Sequence, residues 1–171
     1  MGEIKITSAS GIDFLIGEEG LILRPYRCSA GIPTIGIGCT YYENGQKVKM
    51  SDPHITKLRA IQLFRSLLKH YEMAVYSVTR DDITQNQFNA MVSLCFNIGM
   101  AGFKSSTVVK RVNVFPKDIS IIDAFLMWKN VNAERDGRDN DKDGQVDEKG
   151  EKRPDLLGRR KREAKLYFTK P

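Results

Sequence analysis

Three side chains near the N-terminus, Glu19, Cys28 and Thr34, are of types that can take part in acid–base or nucleophilic chemistry. Glu19 is followed after eight residues by Cys28, and after five more by Thr34. Glu19 lies at the C-terminal end of a predicted helix, where the helix dipole is negative and favours the protonated carboxyl. A carboxyl that keeps its proton near neutral pH can act as a general acid. The plainer reading is a solvated end-of-helix charge, with Glu18 as its solvated twin. Cys28 is equally two-sided. As a thiolate it can serve as base or nucleophile, but a neutral thiol gives little electrostatic help, and a small side chain of this kind often only fills space. Thr34 follows a Gly-containing turn that can face both Cys28 and Thr34 toward Glu19.

A second cluster has the composition of a cation site. In Asp139-Asn140-Asp141-Lys142-Asp143-Gly144-Gln145-Val146-Asp147-Glu148, carboxylates stand at positions 1, 3 and 5. Glycine at position 6 and an apolar residue at position 8 complete the start of an EF-hand-type calcium loop. The expected ligands are Asp139, Asp141, Asp143, Gln145 through its carbonyl, and Glu148. Position 12, where a bidentate Glu is usual, is Gly150. The expectation is a structural Ca²⁺ clip with no part in catalysis, and the alternative is a solvated acidic loop. Other charged residues have blander readings. The run Arg159-Arg160-Lys161-Arg162 reads as a solvated helix face, and His54 and His70 have no partner pattern.

The elements that must position these residues follow from periodicity and punctuation. Residues 7–17 read as a short helix with Ile12, Leu15 and Ile16 on one face, capped by Ser8 or Ser10 and followed by Gly20. Residues 21–50 are rich in Gly, β-branched and aromatic residues, and Asn44-Gly45 signals a hairpin. This stretch is expected to be a small antiparallel sheet. Asp52-Pro53 reads as a cap and first turn of a long helix to about 79. Thr84 with Gln87 forms a capping box, opening a helix stopped by Gly99. Ser106 opens a short helix to about Asn113, Asp118 or Ser120 another through Trp128, and 157–168 is the last. The fold class is therefore α+β. Residues 12–52 form the first helix and sheet lobe, 53–79 a linking helix, and 84–171 a helical lobe with an acidic insertion at 134–151, all in a single domain.

Bulk properties limit the function classes. A chain of 171 residues with 41 % hydrophobic and 28 % charged residues supports one domain with a real core. No apolar run approaches the roughly 20 residues of a membrane helix, and the N-terminal stretch, carrying Asp13 and ending in acids, does not read as a signal peptide. The net charge of +6 favours a polyanionic partner. Segment 134–151 holds eight acids and four bases, so the basic character belongs to the remainder. Three cysteines, Cys28, Cys39 and Cys95, are too few and too irregular for a disulfide framework.

The stretch from Glu18 to Gly38, with Glu19-Gly20-Leu21, Tyr26, Cys28 and Thr34-Ile35-Gly36-Ile37-Gly38, resembles the signature of phage-type lysozymes (endolysins, muramidases). In that family a Glu is followed after eight residues by Asp or Cys and after five more by Thr. The resemblance continues through Gln85–Gly99, through Phe103-Lys104-Ser105-Ser106-Thr107 and Lys110–Asn113, and through Trp128, Gly158-Arg159-Arg160 and Glu163. It covers about 12–168, interrupted by the acidic insertion. Two departures stand out: Cys28 where many members carry Asp, and Cys39 where many carry His.

The resemblance implies a lysozyme-like fold, a sheet lobe and a larger helical lobe joined by a long helix. It implies a glycoside hydrolase cutting the β-1,4 bond between N-acetylmuramic acid and N-acetylglucosamine of bacterial peptidoglycan. Glu19 would protonate the leaving oxygen, Thr34 would hold the attacking water, and Cys28 would replace the family's Asp. Because a thiol replaces a carboxylate, the usual two-carboxylate geometry does not fix the stereochemical outcome. Asn97 and Thr107 are expected to hydrogen-bond sugar or peptide in the groove. No cofactor is needed for catalysis. The expected protein is a monomer without a transmembrane segment, made in the host cytoplasm, that reaches the wall after release and binds no nucleic acid. The competing reading, left open by Cys28 and Cys39, is a weak or inactive muramidase-like module that binds peptidoglycan or another protein.

Overall fold

The computed structural model describes residues 4–28, 31–129 and 156–170. The first helix, α1 (Ala9–Glu19), is capped by the Ser8 hydroxyl, which accepts from the Gly11 amide at 3.2 Å. It runs two residues beyond the predicted end, so that Glu19 is its last residue. Gly20 closes it at φ +81°, donating its amide to the Ile16 carbonyl. The N-terminal end of α1 is clamped to the body of the protein. The Thr7 amide donates to buried Glu72 at 2.8 Å, and Asn89 both accepts from the Ser8 amide and donates to the Ser8 hydroxyl. Gly11 permits this approach: a Cβ there would lie 2.6 Å from atoms of Asn89 and Thr7.

The sheet is smaller than expected. Strand β1 (Ile22–Arg27) pairs antiparallel with β2 (Pro33–Gly36), with Tyr26 opposite Thr34 and an irregularity between Ile22 and Tyr26. Beyond β2, Gly36 and Gly38 take positive φ and turn the chain back, leaving only single bridges, Ile35 to Cys39 and Tyr41 to Lys47. The predicted Asn44-Gly45 turn forms, closed by the Gly45 amide on the Tyr42 carbonyl, but no ladder grows from it.

Helix α2 (Lys57–Tyr76) starts four residues later than the Asp52-Pro53 signal placed it. Asp52 is occupied elsewhere: one carboxylate oxygen accepts from the Lys49 amide and the Tyr42 hydroxyl. The Thr56 hydroxyl caps the helix instead, accepting from Arg59. At the other end the hydroxyls of Ser77 and Thr79 donate to carbonyls of the last turn, ending α2 before Thr79.

Helix α3 (Gln85–Ile98) opens with the expected capping box, and the Gln87 amide group also donates to the Pro116 carbonyl. Every residue from Gln87 to Cys95 is buried, which makes α3 the centre of the core. Phe88 and Met91 are wholly inside it, and Trp128 is partly buried against it. Gly99 ends α3 and at once starts α4 (Met100–Ser105), a helix the sequence did not signal. The Ser106 hydroxyl caps α5 (Thr107–Val114), and α6 (Ile121–Leu126) passes into a 3₁₀ turn at Met127–Lys129. Helix α7 (Leu156–Phe168) packs along α3 and α6. The architecture is α+β, with helices predominant.

Candidate active site

Glu19 is placed by the end of α1. Its side chain is 23 % exposed, accessible yet held: Oε1 lies 2.7 Å from Nη1 of Arg159 on α7. A carboxylate at the negative end of a helix calls for a cation, and α7 supplies it. Glu18 is engaged in the same way. Its side chain is only 6 % exposed and accepts two hydrogen bonds from Arg162, at 2.6 and 2.8 Å. The expectation of a solvated Glu18 is therefore corrected. The expectation of a solvated basic face on the last helix is corrected in part: Arg159 and Arg160 are buried, while Lys161 and Arg162 are exposed.

Behind Glu19 the charges continue into the core. Arg159 Nε donates to Glu163 Oε1 at 3.0 Å, and its Nη2 donates to the Ser93 carbonyl. The Ser93 hydroxyl donates to the same Glu163 oxygen at 2.7 Å. Arg160 pairs with the other Glu163 oxygen at 3.0 Å and donates from Nη2 to Asn97 Oδ1 at 2.6 Å. Burial raises the Glu163 carboxyl and lowers the Arg160 guanidinium. Arg159 goes the other way: desolvation opposes its charge, but Glu19 and Glu163 together raise it.

The sheet faces this cluster from the other side. The phenol of Tyr26 is raised, first by burial and then by the nearby Cys28, Cys39 and Glu19. Tyr71 of α2 is raised by burial, Cys95 and Glu19, and its ring packs edge-on against Phe96 at 5.0 Å. Glu19 thus acts on phenols of both the sheet and the long helix.

Of the sequence-predicted site residues, Glu19 and Cys28 both act on Tyr26, and Thr34 pairs opposite Tyr26 on β2. Cys28 follows β1 and is half-buried, its amide donating to the Ile32 carbonyl across the turn. Thr34, on β2, is 2 % exposed and donates its hydroxyl proton to the Ile32 carbonyl at 2.9 Å. Its proton is committed, and its oxygen can still accept. Asn97 joins through Arg160, while Thr107 opens α5, outside that network. Cys39 is buried, its weak sulfur hydrogen bond reaching the Ile37 carbonyl, and burial pushes its thiol up to about 11. No disulfide joins it to Cys28. The proposed cation ligands Asp139, Asp141, Asp143, Gln145 and Glu148 lie outside the described residues.

Sequence reasoning placed Arg159, Arg160 and Glu163 in a family pattern without giving them a site. The signal was available in their spacing. Glu163 stands four residues after Arg159 and three after Arg160, which puts all three on one side of a helix.

The chain matches the family model described as phage lysozyme over residues 17–163. An endolysin of Salmonella phage P22 is 37 % identical over 163 residues, covering 95 % of this chain and 97 % of that protein. Among solved structures, an endolysin from Escherichia coli O157:H7 phage FAHEc1 superposes with a TM-score of 0.81 at 31 % identity, covering 99 % of each chain. The muramidase domain of SpmX from Asticaccaulis excentricus superposes with a TM-score of 0.73 at 26 % identity, covering 98 % of this chain and 100 % of that one.

Proposed function

The chain belongs to the phage lysozyme family and is a muramidase, a glycoside hydrolase of bacterial peptidoglycan, and within that activity we propose that Glu19 is the general acid. The observation that carries this reading is the placement of Glu19: last residue of α1, partly exposed, and oriented by Arg159 at 2.7 Å. In the proposed reaction Glu19 gives its proton to the oxygen leaving C1 of N-acetylmuramic acid, and the C1–O bond to N-acetylglucosamine breaks. A water attacks C1 from the opposite face. The Thr34 oxygen accepts one hydrogen of that water, a role left open because the Thr34 proton is already given to Ile32. The other proton passes to the Cys28 thiolate, and Glu19 and Cys28 return to their starting states by exchange with solvent. Water activation of this kind predicts inversion at C1. Asn97, oriented by Arg160, and Thr107 are proposed as groove contacts.

The substrate is the wall, and the proposed place of action is the wall after release from the host cytoplasm, as a monomer. Among the described residues no helix is long and apolar enough to cross a membrane. No metal takes part in the proposed steps, and the calcium clip at 139–148 is proposed on its sequence pattern alone.

The test is release of reducing muropeptides from purified peptidoglycan by wild type and Glu19→Gln. Release by the wild type alone supports the assignment. Full activity in the variant refutes Glu19 as the acid.

A further inference from the structure

Glu19 meets the Arg159 guanidinium at 2.7 Å. Arg159 is not Glu19's partner alone. Its Nε edge is bound by Glu163 at 3.0 Å, and its third nitrogen reaches Ser93. Glu163 is wholly buried, with Arg159 and the Ser93 hydroxyl on one oxygen and Arg160 on the other. Burying a carboxylate between two arginines is an expensive way to fill a core, since apolar side chains of similar size generally stabilise as well or better.

We propose that Glu163 is a positioning residue for the hydrolytic reaction: by binding the Nε edge of Arg159 it fixes the guanidinium that meets Glu19 and shares its charge. The proposal rests on reading Glu19 as the acid.

The surroundings leave this role to Glu163. Glu18, the other carboxylate at the end of α1, is taken by Arg162. Arg160 is occupied by Glu163 and Asn97. From the sheet side Tyr26, Cys28 and Cys39 face Glu19 through Tyr26, and from α2 it is Tyr71. Helix α3 presents Ser93 and Asn97, neither of which titrates, and Cys95, whose thiol burial pushes up to about 12. The ionic contacts at this end of α1 come from α7, through Arg159 to Glu19 and Arg162 to Glu18.

The experiment is the pH dependence of kcat and KM for wild type, Glu163→Gln and the double variant Arg160→Met/Glu163→Gln, each checked for folding by circular dichroism at the assay temperature. Removing the Glu163 charge leaves Glu19 facing an unshared cation. The alkaline limb of the kcat profile should then move down by about one pH unit, with KM within about twofold of wild type. The double variant removes both members of the buried Arg160–Glu163 pair, so that Arg160 is not left without its carboxylate. It should shift the limb in the same direction by less, and it carries the test if Glu163→Gln does not fold. A folded Glu163→Gln, or failing that a double variant, whose profile superimposes on wild type overturns the proposal and leaves Glu163 a structural residue. A wild type that releases no muropeptides at any pH overturns the reading of Glu19 instead, so the two failures are distinguishable.

Discussion

Cys39 and Cys95 should make the fold sensitive to alkali. Both thiols are buried, and burial pushes them from an ordinary 9.0 up to about 11 and about 12, respectively. A group whose folded value is raised contributes its full stability below the unfolded value and loses it as pH rises toward the folded one. At about pH 8 neither state has released the proton, so the contribution is intact. At about pH 10.5 the unfolded chain has ionised both thiols and the folded chain almost neither, a difference of about 2 kcal/mol per thiol and about 4 kcal/mol together. Burial raises Tyr167 in the same sense, which adds to the loss at still higher pH, while the lowered guanidinium of Arg160 works against it. The assay is urea unfolding under reducing conditions at both pH values, for wild type and Cys39→Ala/Cys95→Ala. The variant starts less stable because it leaves small cavities. Its further loss on going to about pH 10.5 should be smaller than that of wild type by most of the 4 kcal/mol. An equal loss in both proteins refutes the assignment of alkaline sensitivity to the buried thiols.

Three other outcomes are expected. Gly11→Ala should cost about 1–3 kcal/mol in chemical unfolding, because the added Cβ meets Asn89 and Thr7 at 2.6 Å and both are fixed by the clamp on α1. Cys28→Asp should keep substantial muramidase activity with the same anomeric product by NMR; a folded but dead variant would refute the equivalence of Cys28 to the family's Asp. Adding Ca²⁺ in the low micromolar range to EDTA-treated protein should raise its melting temperature if Asp139, Asp141 and Asp143 converge on a cation, and an unchanged melting temperature argues against the clip.

What was legible in the sequence was local. The Thr84–Gln87 capping box, Gly20 past the end of α1 and Ser106 before α5 each depend on contacts within four residues, and each stands where the pattern put it. Asp52 was misread because two local structures compete for its carboxylate, a helix cap and a turn, and Tyr42 and the Lys49 amide decide for the turn. The sheet was overextended for a similar reason. Residues 37–50 have strand composition, but positive φ at Gly36 and Gly38 ends the ladder, and composition does not report φ. The short helix α4 escaped notice because Gly99 reads as a stop, while here it ends one helix and begins the next.

The site was legible to the extent that one motif held it. Glu19, Cys28 and Thr34 were named from a family motif; Glu19 ends α1, Thr34 lies on β2 and Cys28 follows β1. The arginines of the second half, Arg159 and Arg160, were read as solvent-facing because charged side chains usually are. Arg159, Arg160 and Glu163 depart from that rule together and could not do so singly, since a lone buried charge is costly and a closed set with Ser93 and Asn97 is tolerable. Their burial depends on α7 lying against α3, a tertiary fact that no local pattern states. The consequence is mechanical. Glu19 sits at the end of a helix clamped at its start by Glu72 and Asn89, and it is met at its carboxyl by an arginine whose other edge is locked into the core. A substitution in the core, such as Ser93→Ala, therefore reaches Glu19 through only two side chains.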